Sequence, residues 1–578
     1  PLVAYLNRPL IKLLEDLGIQ AEVFLNLQDR ILKKVENSRS SPNLAADLIE
    51  QYSIGTSSSV CSILRKLGVL LGEGISIDSD FIEECYDLMI IQSLRDLKYR
   101  GRIPIKKSYT LVGVADEDNL LDPDSIYVCV QHVPRGPLKY LKGTFAVTRS
   151  PSLHPGDVRV VNAVGKLDPK IAPRLSHRSL PSCLGGGDLD GDLFTVIGLP
   201  ELIPDHSQVH SPASYQAPEM RQLDQDCTIA DGADFFLDYI SSDLVGMIAT
   251  RHLHIADQAV EGTLNRSCLR LAELHSDAVD YPKTGVPVNI RSLPSPPAKM
   301  KPDYMCKAVI LAKFFILFPA DDSPFLGQEY DSSTKGEDYY ESARVLGRLF
   351  REIPASKIDV FVNGTRLDDD IVELDRYNRS LHSFGNHFSS RLDPKQILTK
   401  LITNQIQLKF PTNHKLILRK DDDLRTQFEV LLGWFAIELM KISKLNNLSS
   451  SSLGSESNGK NHLSESEAFM GVILMSSDKF SKRTALSRLI EETKHLYGLI
   501  RSSIISNDDD DDDDDDQQKV KSNEVDELDE QQFNSLDELI LHRAFQAWSL
   551  ATHSQSNLFG THSFGFICLD IILSLILD

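Results

Sequence analysis

The segment GGGDLDGDLF, Gly185 to Phe194, places Asp188, Asp190 and Asp192 at alternate positions. On a β-strand this spacing sets all three carboxylates on one face. In a loop, Gly191 lets the chain turn tightly and the three converge instead. Gly185, Gly186 and Gly187 remove side chains just ahead of the acids, so a bulky ligand such as a nucleic acid end can approach the backbone. Carboxylates this close repel one another unless cations neutralise them. Their hard oxygens suit Mg²⁺, with Mn²⁺ as the alternative ion, and substrate phosphates commonly complete the shell. Two such ions about 3.5–4 Å apart activate an attacking hydroxyl and stabilise a leaving oxygen, which is the chemistry of phosphoryl and nucleotidyl transfer. A calcium loop of EF-hand type fits poorly. It needs glycine at its sixth and glutamate at its twelfth position. Counting from Asp188, Leu193 and Leu199 stand there. A solvated acidic turn is the other alternative. Leu189, Leu193 and Phe194, interleaved with the acids, argue against it.

Cationic residues precede the acids. Arg135, Lys139 and Lys142 cluster around Tyr140, and Arg149, His154 and Arg159 surround the turn LHPGD. Near an acidic metal centre they would hold triphosphate or template backbone. Lys106 and Lys107 are further candidates for backbone contact, and Lys283 for a phosphate or a developing negative charge. Asp157 reads as a carboxylate that holds the turn. His252 and His254 lack a third ligand at zinc spacing.

These residues need elements to position them. From about 108 to 198, SIYVCVQ, GTFAVTR, VRVVNAV and LFTVIG are short β-rich runs punctuated by proline and glycine, which indicates a compact barrel or sheet unit. Residues 1–107 read as helical, with Leu6, Leu10, Leu13, Leu14 and Leu17 at helical spacing. A core-facing helix this early suggests that the chain begins inside a larger protein. Residues 201–300 read as helix and connector, and residues 301–448 as largely helical, with a stripe at Phe428, Leu431, Leu432, Phe435 and Leu439. A serine-rich linker spans 449–465, helix spans 466–506, an acidic insertion spans 507–530, and a helical segment closes the chain at 531–578. The apolar run Ile567–Leu577 is interrupted by Asp570. It falls short of the roughly 20 residues that span a bilayer, and reads as a closing helix.

At 578 residues the chain is long enough for about three to four domains. With 41% apolar and 25% charged residues it is not wholly disordered. A formal charge of -22 excludes a uniformly basic coat, though not a local basic channel. Eight scattered cysteines form no CxxC pair, which points to a reducing compartment, nucleus or cytoplasm, rather than to secretion.

LVGVADEDNLLDPDSIYVCVQ (111–131), KGTFAVTRSPSLHPGDVRVVNAV (142–164) and GGDLDGDLF (186–194), in this order, resemble the cellular RNA-dependent RNA polymerases of eukaryotic RNA silencing. ADGADFFLDYISSDLVGMIATRHLHIAD (230–257), LAELHSDAVDYPKTG (271–285) and SNLFGTHSFGFICL (556–569) continue the likeness, nearest to the fungal branch. The resemblance implies a mixed α+β fold: a double-psi β-barrel catalytic core, the second barrel of a two-barrel polymerase, embedded in a largely helical protein. It implies that Asp188, Asp190 and Asp192 bind catalytic Mg²⁺. Arg149, His154, Arg159 and Lys283 would then lie around the nucleotide and RNA. The implied activity is synthesis of complementary RNA from nucleoside triphosphates on single-stranded RNA, giving double-stranded RNA. Implied partners are Dicer- and Argonaute-type silencing proteins, and no membrane.

Two departures matter. The family's other barrel lies upstream of the helix that resembles LNRPLIKLLEDLG (6–18), and the segment Gly165–Pro181 looks short for the strand the family carries there. Three other readings follow: a DNA-templated polymerase of the same superfamily, a truncated or inactive homologue that binds RNA or acts as a scaffold, and a divalent-ion hydrolase.

Overall fold

The computed structural model describes residues 2–54, 60–71, 80–116, 121–122, 124–131, 136–166, 180, 184, 187, 189, 191–215, 219–223, 226–241, 244–305, 339–354, 361–362, 365–366, 394–447, 462–473, 479–506, 533–553 and 558–577. The chain divides into two units: residues 1–32 with 94–357, and residues 33–93 with 358–578.

The first unit is built on a six-stranded sheet. Its strands are β1 (Leu2–Tyr5), β2 (Pro104–Val112), β3 (Ser125–Ile126), β6 (Lys142–Arg149), β7 (Arg159–Val164) and β8 (Leu193–Ile197), in the order β1-β2-β8-β6-β7-β3. All neighbours are antiparallel except β3 and β7. A separate ribbon pairs β4 (Cys129–Val130) with β5 (Lys139–Tyr140). Tyr109, Phe145, Val147, Val161, Phe194 and Val196 fill the core on one face, as period-two alternation requires.

The expected barrel is not there. Closure needs a hydrogen-bonded ladder between the first and last strands. Among the described residues the sheet ends at β1 on one side and at the two-residue β3 on the other, and these edges do not pair. The sheet is open, a small β-core within a helical protein. The N-terminal residues LVAY, inside the region expected to be helical, form its edge strand and pair with β2. The expected run SIYVCVQ is interrupted and contributes two short strands.

Helices of this unit form where the sequence has stripes and caps. In α1 (Arg8–Asp16) Asn7 Oδ1 accepts Leu10 N at 2.9 Å as N-cap, and Leu10, Leu13 and Leu14 are buried. α2 (Ala21–Asn37) and α5 (Asp80–Arg100) each contribute residues to both units. α6 (Ile229–Ser241) precedes the pair α7 (Val245–Gln258) and α8 (Arg266–Val279). That pair packs through Ile248, Ile255, Cys268, Leu271 and Leu274. The short α9 (Tyr281–Thr284) follows, and α10 (Val345–Glu352) comes later.

The second unit is helical. It includes α3 (Pro42–Tyr52), α4 (Val60–Leu71) and long helices at Asp422–Leu445, Lys479–Ile505, Leu536–His553 and Thr561–Leu577. The stripe Phe428, Leu432, Phe435 and Leu439 is buried, and Leu431 is half-buried. Asp570, the acid inside the apolar closing run, accepts from Lys66 at 2.9 Å and from Arg501 at 2.5 Å. No helix of the described residues is long and apolar enough to cross a membrane. The serine run 449–457 and the aspartates 508–516 lie outside the described residues, as does most of the segment 165–181.

In the first unit a buried carboxylate ties distant segments to α7. Asp257 accepts from Tyr304 Oη at 2.9 Å, Tyr340 Oη at 2.6 Å and Ser342 Oγ at 2.8 Å. Replacing Asp257 with alanine leaves three hydroxyls without that acceptor and is expected to cost about 3 kcal/mol. Asp257→Asn should cost less, because one acceptor oxygen remains. Denaturant unfolding followed by tyrosine fluorescence checks the order of the two.

Candidate active site

The register of β8 against its neighbours decides what meets the acidic loop. Leu193 lies opposite Val112 of β2, and Phe194 lies opposite Arg149 at the end of β6. Asp192 stands one residue before β8, so the sheet delivers Arg149 to it. Arg149 Nη2 donates to Asp192 Oδ1 at 3.0 Å, and Arg149 Nε lies 2.6 Å from Oδ2. Both side chains are mostly shielded, with exposures of 17% and 18%. One charge-assisted hydrogen bond and one close ion contact thus tie the guanidinium to the carboxylate.

The loop backbone is held at two glycines. Gly113 N donates to Asp192 O at 3.2 Å. A Cβ on Gly113 would lie 2.5 Å from the Phe194 ring and 2.9 Å from Leu189, so no larger residue fits. Gly191 has φ +130°, a conformation other residues avoid, and among the described residues nothing lies within 4 Å of where its Cβ would be. Gly187 N donates to Leu184 O at 3.2 Å, which ties the glycine run to a leucine buried in the sheet core. Gly186, Asp188 and Asp190 lie outside the described residues. Among the described residues no group of three or more His, Cys, Asp or Glu is placed to hold a metal ion.

The turn after β6 is stapled from within. Asp157 is buried, and its Oδ2 accepts from Leu153 N at 3.2 Å and His154 N at 3.0 Å. His154 Nδ1 in turn accepts from Gly156 N at 3.0 Å, so in the neutral ring the proton sits on Nε2. Burial, and His210 beside it, hold His154 below the usual histidine value. Arg159 Nη1 donates to His210 O at 3.1 Å, and Nη2 lies 3.5 Å from Asp124. Thus Arg149 reaches the acidic loop, while His154 and Arg159 brace the backbone beside it.

Lys142, Lys106 and Lys107 are not brought to Asp192. Lys142 begins β6 and Arg149 ends it. At about 3.4 Å per residue those positions are about 24 Å apart. Lys106 and Lys107 are exposed on β2, toward the end away from Val112. Lys283 is exposed on α9.

A neighbour without an assigned role in the sequence is His275. It lies on the buried stripe of α8 with Leu271, Leu274 and Ala278. Together with Arg149, Leu153, Asp157, Tyr215 and Ser276 it lines a small cleft. Burial, then the charge of Arg149, push His275 down to about 4. Burial, then His275 and Lys12, push His252 down to about 3. The helical stripe could have shown that His275 is buried; only the fold shows that it faces Arg149.

Comparison with known proteins now assigns the chain. The model of the RNA dependent RNA polymerase family matches residues 1–353. The chain belongs to that family. It is 33% identical over 376 residues to RNA-dependent RNA polymerase 2 of Arabidopsis thaliana, covering 61% of this chain and 30% of that protein. It is 32% identical over 339 residues to RNA-dependent RNA polymerase 1 of Schizosaccharomyces pombe, covering 53% and 27%. Among solved structures, the RNA dependent RNA polymerase QDE-1 from Thielavia terrestris aligns at 13% identity with a TM-score of 0.43, over 99% of this chain and 56% of that one. The chain therefore spans less than half the length of these curated relatives.

The histidine environment predicts a pH dependence. Both imidazoles are held below the ordinary 6.5, at about 4 for His275 and about 3 for His252. Below pH 6.5 the unfolded chain takes up protons that the folded chain refuses, so stability falls as pH falls. The contribution is complete above pH 6.5 and is lost progressively toward pH 4. Melting temperature should drop between pH 7 and pH 5, measured by circular dichroism, and His275→Asn should flatten part of that drop.

Proposed function

We propose that this chain carries the catalytic loop of an RNA-templated nucleotidyltransferase, which copies single-stranded RNA into double-stranded RNA. The observation that carries the reading is the acidic loop at the β6–β8 junction, with Arg149 held on Asp192, in a chain of the RNA-dependent RNA polymerase family. Asp188, Asp190 and Asp192 are the residues that would hold Mg²⁺. Their donor set is all hard oxygen, and the open space at Gly191 suits the approach of an ion and a phosphate. Mg²⁺ there would favour ionisation of a ribose 3′-hydroxyl and stabilise departing pyrophosphate.

The chain's own residues do the rest. Arg149 offsets the charge of Asp192 and sets its carboxylate direction. Gly113 and Gly191 give the loop its path. The His154–Asp157 turn keeps Arg149 at the end of β6. Base pairing with the template selects the nucleotide, and the protein positions backbone. The double-stranded product would feed Dicer- and Argonaute-type silencing proteins in the nucleus or cytoplasm.

A second reading is an RNA-binding homologue without synthesis. The sheet left open among the described residues favours it. Incorporation of labelled nucleotide on a defined single-stranded RNA with Mg²⁺ separates the two. Asp190→Ala should reduce incorporation at least about 1,000-fold with the circular dichroism spectrum unchanged. Arg149→Ala should reduce it about 10- to 100-fold, and Arg149→Lys should recover part of the loss. Near-normal incorporation by a folded Asp190→Ala chain overturns the polymerase reading. RNA binding without incorporation by the unaltered chain favours the second.

A further inference from the structure

Lys139, Lys142 and Tyr140 read in the sequence as neighbours of the acidic loop, but the sheet carries them to its other end. There they meet residues from two other segments. Tyr127 and Tyr140 approach with ring centroids 5.8 Å apart, joined across the β4–β5 ribbon. Lys166 Nζ lies 5.9 Å from the Tyr140 ring centroid. The Lys142 side chain packs over Gly165, beside Lys166. Lys139, Lys142 and Lys166 are all exposed, as is Tyr127 at 41%. Among the described residues no carboxylate pairs with these three lysines, whereas Asp124, at the far end of β3, is engaged by Arg159. Lys106 and Lys107 are exposed toward this same end of the sheet.

We infer that this end of the sheet is a second RNA-binding surface, which takes single-stranded RNA by its phosphates on Lys139, Lys142 and Lys166 and by a base on the Tyr127–Tyr140 pair. The choice of RNA as ligand rests on the polymerase reading above. The choice of a single strand rests on the tyrosines. Exposed aromatic faces stack on unpaired bases, while duplex bases are already stacked on each other. Exposed lysines around an aromatic platform are the arrangement that binds single strands without reading sequence. The net charge of -22 makes such a local concentration of cations informative, because the average surface would repel RNA. The separation from Arg149, about 24 Å along β6, makes this a surface apart from the acidic loop.

The test is fluorescence anisotropy of the full 578-residue chain. The probe is a labelled unstructured RNA of about 12 nucleotides, titrated at several salt concentrations between about 50 and 200 mM. Lys139→Gln/Lys142→Gln/Lys166→Gln should make the slope of log K against log salt shallower by about 2, at about 0.7 for each phosphate that is no longer neutralised. Tyr140→Leu should weaken binding about tenfold with little change in slope, and Tyr140→Phe should restore it. These positions are exposed or half-exposed, and an unchanged circular dichroism melt confirms that each variant folds. An unchanged slope in the triple variant overturns the proposal. So does binding of a duplex as tight as that of the single strand. Nucleotide incorporation is scored separately. A chain that shows the expected slope change yet incorporates nothing keeps the surface and removes the polymerase reading; incorporation with an unchanged slope does the reverse.

Discussion

The pairing register of β6 against β8 is the constraint on which the site depends. Acids at every second position around Gly191 crowd negative charge into a short loop. The sheet answers with one cation at a set distance, because Arg149 lies opposite Phe194 and Asp192 is the residue before the pairing of β8 with β2 begins. In this register Val147 lies opposite Val196, and Phe145, Val147, Phe194 and Val196 share one core; a slip of one residue would turn Arg149 to the opposite face of β6 and break that packing. The hydrophobic core thus fixes the register, and the register fixes the charge pair. Packing energy, rather than the modest attraction of a partly exposed ion pair, determines where Arg149 sits.

The surroundings of Arg149 are arranged so that its charge is directed one way. His275, on the other side, is buried and held down to about 4, and so is a neutral neighbour near pH 7. A second cation there would compete with Asp192 for the field of the guanidinium. The turn from Leu153 to Val158 satisfies its own backbone donors through Asp157 and His154. It therefore holds Arg149 at the strand end without calling on the acids of the loop. Neutral imidazoles and internally satisfied turns let one arginine and one loop carry the polarity of this face.

Much of this was legible in the residues, for stateable reasons. Leu10, Leu13 and Leu14 of the expected stripe lie buried in α1, the stripe at Phe428–Leu439 is buried, and the family resemblance holds over residues 1–353. Those signals are local, or lie in the order of motifs. What failed was non-local. LVAY carries no sign that its partner is β2, about a hundred residues on. The barrel expectation failed because closure depends on which edges meet, and short β-runs say nothing of that. The basic residues upstream of the acids looked like one cluster, since order along the chain does not say which end of a strand faces which loop. Asp570 looked like an interruption because Lys66 and Arg501, which neutralise it, lie far away in sequence.

The same distinction bears on how an acidic protein would hold the polyanion proposed above. A formal charge of -22 is a sum, and a phosphate responds to the nearest charges within about 8–10 Å at ordinary salt. The middle of β6 is buried on both faces, with Phe145, Ala146 and Val147 in succession, and its charged residues stand at the two ends. At one end Arg149 meets Asp192. At the other, exposed lysines stand beside Tyr127 and Tyr140. A strand of about 24 Å holds the two about three Debye lengths apart, so the cations of one end do not screen the acids of the other. Separation along a single strand is what would let the proposed carboxylate centre attract cations while the proposed RNA surface presents them on the same sheet.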